Sequence, residues 1–285
     1  VTRLNTRSRY VDCPIGQIHV VEAGDGPALL LLHQAPRSGD EFREFIPLMA
    51  REHRVIAMDM VGFGASVKVP APQSIELYAR GVHELLHEIG IDEVSLLGHH
   101  TGGLVALEVA SAAGNGEVST DVTALVLSSC PFTGPERRAR PENPDGVDKA
   151  NISDDGTHLN TLWNKRRPYY PQPSADLLNR FVHDALTYGV DPAEGHRACD
   201  RYRIEDRIGL VTAPTLLLGA SDDPFAMPNI APLESALSQV TRVETTIVEH
   251  GTVALFERKA DEISAVVQPF LHRAAADRVG VHFAP

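Results

Sequence analysis

Glu93-Val94-Ser95-Leu96-Leu97-Gly98-His99-His100-Thr101-Gly102-Gly103-Leu104-Val105-Ala106-Leu107 is the stretch that decides how this chain folds. Glu93 to Leu97 has the length and apolar content of a buried strand, and Thr101 to Ala113 has helical length. The two are joined by a few residues rich in glycine and histidine, so a strand passes into a helix through one sharp turn. The same alternation extends outward in both directions. Upstream, Tyr10 to Glu22 reads as a hairpin turning at Pro14-Ile15-Gly16. A strand follows at Ala28–Leu32, a helix near Gly39–Ala50, a strand at Arg54–Met58 and a helix near Ser74–Ile89. Downstream, Thr123–Ser128, Pro214–Leu218 and Val243–Val248 read as strands, and Leu255 to about Ala275 as a last helix. Strands alternating with helices predict an α/β fold with a mostly parallel sheet flanked by helices.

The rhythm fails between Pro131 and about Asp206, where prolines, polar loops and helical stretches such as Ser174–Leu186 replace buried strands. The expected organisation is therefore a sheet core in two parts, residues 1–132 and 207–285, with a mainly helical cap at 133–206. Insertions of about this length usually form lids or substrate-binding caps.

The chain has 285 residues, 43% of them hydrophobic and 22% charged, as expected of a globular domain with a sizeable core. A net charge of −12 argues against nucleic-acid and anionic-membrane partners, which call for clustered Lys and Arg. The densest basic cluster, Arg137, Arg138 and Arg140, reads as a solvated loop. Cys13, Cys130 and Cys199 are too few and too scattered for a disulfide framework or a metal knuckle. Residues 1–10 carry no apolar signal core, and the longest apolar run, Ala28–Leu32, is strand-sized. The expected setting is cytoplasmic, the expected partner a small-molecule substrate, and a homodimer is left open.

Four segments in order resemble the α/β-hydrolase superfamily. Leu29-Leu30-Leu31-Leu32-His33-Gln34 looks like its strand ending in His-Gly. Asp59-Met60-Val61-Gly62-Phe63-Gly64-Ala65-Ser66 looks like its D-x-x-G-x-G-x-S turn. Gly98-His99-His100-Thr101-Gly102 occupies the place of its G-x-S-x-G nucleophile elbow. Leu216 to Pro224 is similar to the strand that delivers the catalytic acid. The resemblance implies an α/β-hydrolase fold with a cap. It also implies that Gly98 and Gly102 clear the turn, and that the amides of Thr101 and Gln34 form an oxyanion hole.

The chain departs from that pattern at its centre. The apex residue is His100, where the family has a nucleophile. Imidazole near neutral pH acts as acid, base or hydrogen-bond donor, and a helix N-terminus favours its neutral form. Counting back from Glu257 puts Thr252 where the family has its triad histidine, with His250 two residues early. Asp222 and Asp223 both qualify as the acid. His33 is expected to be structural. His99, Arg37, Trp163, Tyr169 and Tyr170 are candidates for contact with substrate. No cofactor is expected: Gly62-Phe63-Gly64 lacks a dinucleotide fingerprint, and no HExxH pair is present.

Three readings follow. The leading one is non-hydrolytic acid/base chemistry on a small organic molecule: a lyase, cyclase or carbon–carbon bond-forming enzyme, with natural-product tailoring as a setting by analogy only. The alternatives are an ester, lactone or C–C hydrolase in which His100 activates water, and a non-catalytic ligand-binding protein.

Overall fold

The computed structural model describes residues 6–139 and 148–281, with side chains described as far as residue 278. Eight strands form one sheet: β1 Arg7–Cys13, β2 Gly16–Ala23, β3 Ala28–Leu32, β4 Arg54–Met58, β5 Glu93–His99, β6 Asp121–Ser128, β7 Thr215–Ala220 and β8 Val243–Val248. Their spatial order is β1-β2-β4-β3-β5-β6-β7-β8. β1 and β2 form the expected hairpin, with Cys13 opposite Gly16, and β2 runs antiparallel to β4. Every other pairing is parallel.

The helices are α1 Ile46–Met49, α2 Ile75–Glu88, α3 Thr101–Gly114, α4 Pro135–Arg138, α5 Thr157–Arg166, α6 Ala175–Ala185, α7 Glu194–Arg201, α8 Met227–Leu237, α9 Leu255–Arg258 and α10 Ala260–Val281. Two differ from expectation. The helix expected near Gly39–Ala50 is a 3₁₀ turn, Gly39–Phe42, followed by the single turn of α1. Pro47 sits in α1's first turn, where its missing N–H is tolerated, but it could not continue a helix from upstream. The last helix is divided at Lys259 into α9 and α10.

Alternating residues of β3 feed two cores. Leu30 and Leu32 pack with α2 and α3 on one face, while Leu29 and Leu31 pack with α10 on the other. A strand buried on both sides must be apolar throughout, which is why Ala28–Leu32 lacks polar alternation. α3 lies under cover along nearly its whole length: twelve of its fourteen residues are buried. It is therefore a fixed support for whatever precedes it.

α4 to α7 all lie between β6 and β7. α5 and α6 carry a third apolar cluster, in which Leu162, Leu177, Leu178 and Phe181 pack on Val253 and Ala254 of the sheet domain. Ion pairs reinforce the junction. Arg180 meets Asp40 and Glu44, and Arg37 meets Asp184. Among the described residues, no helix is long and apolar enough to cross a membrane.

Candidate active site

Between β5 and α3 stands His100, at φ 47° and ψ −114°. A positive φ is strained for a residue with a Cβ. Here the backbone is over-determined. The His100 N–H donates to the Ser128 carbonyl at 2.9 Å. A Cβ on Gly98 would lie 2.1 Å from the Gly102 carbonyl oxygen, and one on Gly102 would lie 2.1 Å from that of Leu32. The turn closes backbone against backbone, so both flanking positions must be glycine. The result is an imidazole projecting from the C-terminal edge of the parallel strands, where open α/β sheets bind ligands. It lines a cavity of about 350 Å³ and is 15% exposed.

Asp223, just after β7, lies behind the ring, with Oδ2 2.8 Å from His100 Nε2. The approach is close, but the oxygen lies off the N–H direction, so this is a charge contact without an aligned hydrogen bond. Burial opposes ionisation of Asp223. The His100 ring and the Phe225 N–H, which donates to Oδ1 at 2.9 Å, outweigh it and hold the carboxyl down at about 2.

The structure separates the two candidate acids. The Asp223 side chain is wholly buried, whereas that of Asp222 is 53% exposed and faces His250 at 3.6 Å. His250 is itself 82% exposed, so it stays outside the cavity. Thr252 is corrected in the same way. It borders a different depression beside His250, accepts the Ala254 N–H at 3.3 Å, and leaves Val253 to line the cavity. Of these two neighbours, the apolar one lines the cavity. No histidine from this loop reaches His100.

Of the two backbone amides expected to form an oxyanion hole, one is already engaged. Thr101 begins a fourteen-residue helix, where first-turn N–H groups lack intrahelical acceptors. The Gln34 amide, by contrast, already donates to Glu41 Oε2 at 2.8 Å. Gln34 lines the cavity instead, with its side chain held at both ends: Nε2 donates to Glu41 Oε1 at 2.5 Å, and Oε1 accepts from Arg166 Nη2 at 2.6 Å. Burial, reinforced by the charge of Glu257, pushes Glu41 up to about 8. His33 plays the structural part expected of it, accepting the Met60 N–H at 2.9 Å.

The remaining candidates mostly pack. His99 is wholly buried, bonded to Ser128 Oγ at 3.0 Å and to the Val253 carbonyl at 3.2 Å, and does not face the cavity. Burial and the neighbouring His100 ring lower it to about 3, so it is neutral. Arg37 is consumed by structure: Nε donates to Asp184 at 2.8 Å and Nη1 to Glu257 at 2.6 Å. Trp163 and Tyr170 pack within the helical insertion. Tyr169 comes nearest to the earlier expectation, its ring 4.9 Å from that of Phe225, which lines the cavity.

The insertion supplies groups that sequence reasoning missed. Arg137, Arg166, His196 and Cys199 line the cavity, so Arg137 is no mere part of a solvated loop; Arg140 lies outside the described residues. Asp148 is wholly buried and serves two of these groups, with Oδ1 3.3 Å from Arg166 Nη1 and Oδ2 2.7 Å from His196 Nε2. No spacing signal links positions this far apart in a segment without periodicity. Burial pushes the Cys199 thiol up to about 11, so it is not an activated nucleophile. No cluster of three or more His, Cys, Asp or Glu among the described residues is placed to hold a metal ion.

A family model described as alpha/beta hydrolase fold matches residues 27–251. A soluble epoxide hydrolase from Corynebacterium sp. (strain C12) is 41% identical over 90 residues, 32% of either chain. A fluoroacetate dehalogenase from Burkholderia sp. is 38% identical over 100 residues, 33% of either chain. The chain thus matches about a third of the length of these curated relatives. Among solved structures, Cfl2 from Burkholderia cenocepacia shares the fold, with a TM-score of 0.76 at 20% identity, covering 95% of this chain and 98% of that one. The family match takes in the elbow-like turn, its supporting strands and the whole insertion, and on that basis the chain belongs to the alpha/beta hydrolase fold family.

Proposed function

We propose that this chain is a hydrolase of small organic molecules in which His100, backed by Asp223, acts as a general base on water. The observation that carries the reading is the apex itself: an imidazole in the strained turn, open to the cavity and 2.8 Å from a buried carboxylate. His100 would take a proton from water as the water oxygen attacks an ester or lactone carbonyl. The Thr101 amide would face the developing oxyanion, and the proton would pass to the departing alkoxide. Asp223 orients the ring and offsets the charge it gains. Residues 133–206 serve as the cap over this site. The relatives named above are hydrolases, which favours this reading over the non-hydrolytic chemistry expected first. The commitment of the Gln34 amide to Glu41 is the one observation that favours the non-hydrolytic alternative, since it leaves the carbonyl oxygen a single backbone donor.

The test is acid release from a panel of activated esters and lactones by wild-type protein and His100→Ala. Turnover that falls by about a hundredfold or more in the variant is expected, within the usual range for losing a general base. Equal turnover in both proteins, or none in either, would remove the hydrolase reading.

A further inference from the structure

We infer that the cavity is built for an organic carboxylate, anchored by Arg137 and Arg166 with its carbon skeleton against apolar walls. This rests on the reading of the cavity as the active site and adds a substrate class to it. The protein is acidic overall, with a net charge of −12, yet the cavity has the opposite lining. Two arginines, Arg137 and Arg166, face it, and among the described residues no Asp or Glu does. The carboxylates stand one layer back. Asp200 takes Arg137 Nε at 2.8 Å, Asp148 takes Arg166 and His196 together, and Asp223 backs His100.

That layering matters physically. A guanidinium has five N–H donors in a rigid fork, and a carboxylate behind it fixes the fork while leaving other donors pointing forward. Arg137 bonds through Nε alone among the described residues, which leaves both terminal nitrogens for an anion. Arg166 is 3% exposed and held by Asp148 through Nη1 and by Gln34 through Nη2, so it meets an entering group from a fixed position out of bulk water. Phe132, Phe225 and Val253 are among the other lining residues and offer an apolar surface but no charge. A neutral amide offers those donors one uncharged acceptor oxygen, whereas a carboxylate offers two charged ones.

The experiment is calorimetric titration of the full chain with phenylacetate and hexanoate, each beside its neutral amide. Each carboxylate is expected to bind about tenfold or more tighter than its amide, the increment of one charge-assisted hydrogen bond. Arg137→Gln, at a partly exposed position, and Arg166→Lys should each cut that preference to about threefold or less. His100→Gln should leave it in place. Equal affinity for acid and amide, no binding of either acid, or a preference that survives both arginine changes would overturn the inference. Its failure is separable from that of the hydrolase reading. Turnover of neutral esters without carboxylate preference sinks the inference alone, and carboxylate binding without turnover sinks the hydrolase reading alone.

Discussion

Asp222 and Asp223 are chemically identical neighbours with opposite roles. The Asp222 N–H bonds to the Gly251 carbonyl and the Asp223 N–H to that of Ala220, and the chain turns between them. One side chain goes out to His250 and the other in to His100. Asp223→Asn should therefore lower kcat by about a hundredfold or more with the fold intact, because an amide cannot balance imidazolium charge. Asp222→Asn should stay within about twofold, as surface changes generally do. Steady-state kinetics on any substrate found by the ester panel checks both. Glu41 makes a separate claim, about stability. Its carboxyl titrates near 8 in the folded protein, against 4.5 for an unperturbed Glu. Between those values the native state holds a proton that the unfolded chain has released, so stability falls as pH rises through that window. The slope is at most about 1.4 kcal/mol per pH unit, and Glu41→Gln should flatten it. Urea unfolding at three pH values from slightly acid to slightly basic reads the slope directly, whatever the variant's absolute stability.

At the scale of elements, the turn from β5 to α3 was the most legible feature of the chain. Gly98 and Gly102, bracketing a polar apex after an apolar run, have no other ready explanation, and the structure places backbone oxygens where their Cβ atoms would be. Gly102→Ala should cost about 1–3 kcal/mol by overpacking against the rigid Leu32 carbonyl, seen as a lower urea midpoint with an unchanged m-value. Strands were legible for the same kind of reason, since Ala28–Leu32 and Arg54–Met58 are apolar runs with a single reading. The direction of side chains in irregular loops was not. Thr252 and Val253 differ by one position, and only the path of the chain after β8 decides which of them lines the cavity.

At the scale of the molecule, the body contributes His100 and Asp223, and the insertion contributes Arg137, Arg166 and His196. The first set could be read from local motifs. The second depends on Asp148 meeting Arg166 and His196, 18 and 48 residues away, and on Asp200 meeting Arg137, 63 residues away, which no local pattern encodes. The two parts are locked by Arg37, a residue first expected to meet substrate. Its buried guanidinium joins Asp184 of α6 to Glu257 of α9. Arg37→Met should destabilise the whole protein by about 3–5 kcal/mol, because two buried carboxylates lose their counter-ion. Thermal unfolding in one cooperative step at a lower Tm is the expected record.

The Gln34 side chain links Glu41 to Arg166, which lines the cavity beside it. Moving Arg166 away from Gln34 breaks a buried hydrogen bond to a charged group, at about 1.5–3 kcal/mol. A guest that displaces Arg166 has that bond to break, a cost spared to one that leaves the two side chains together.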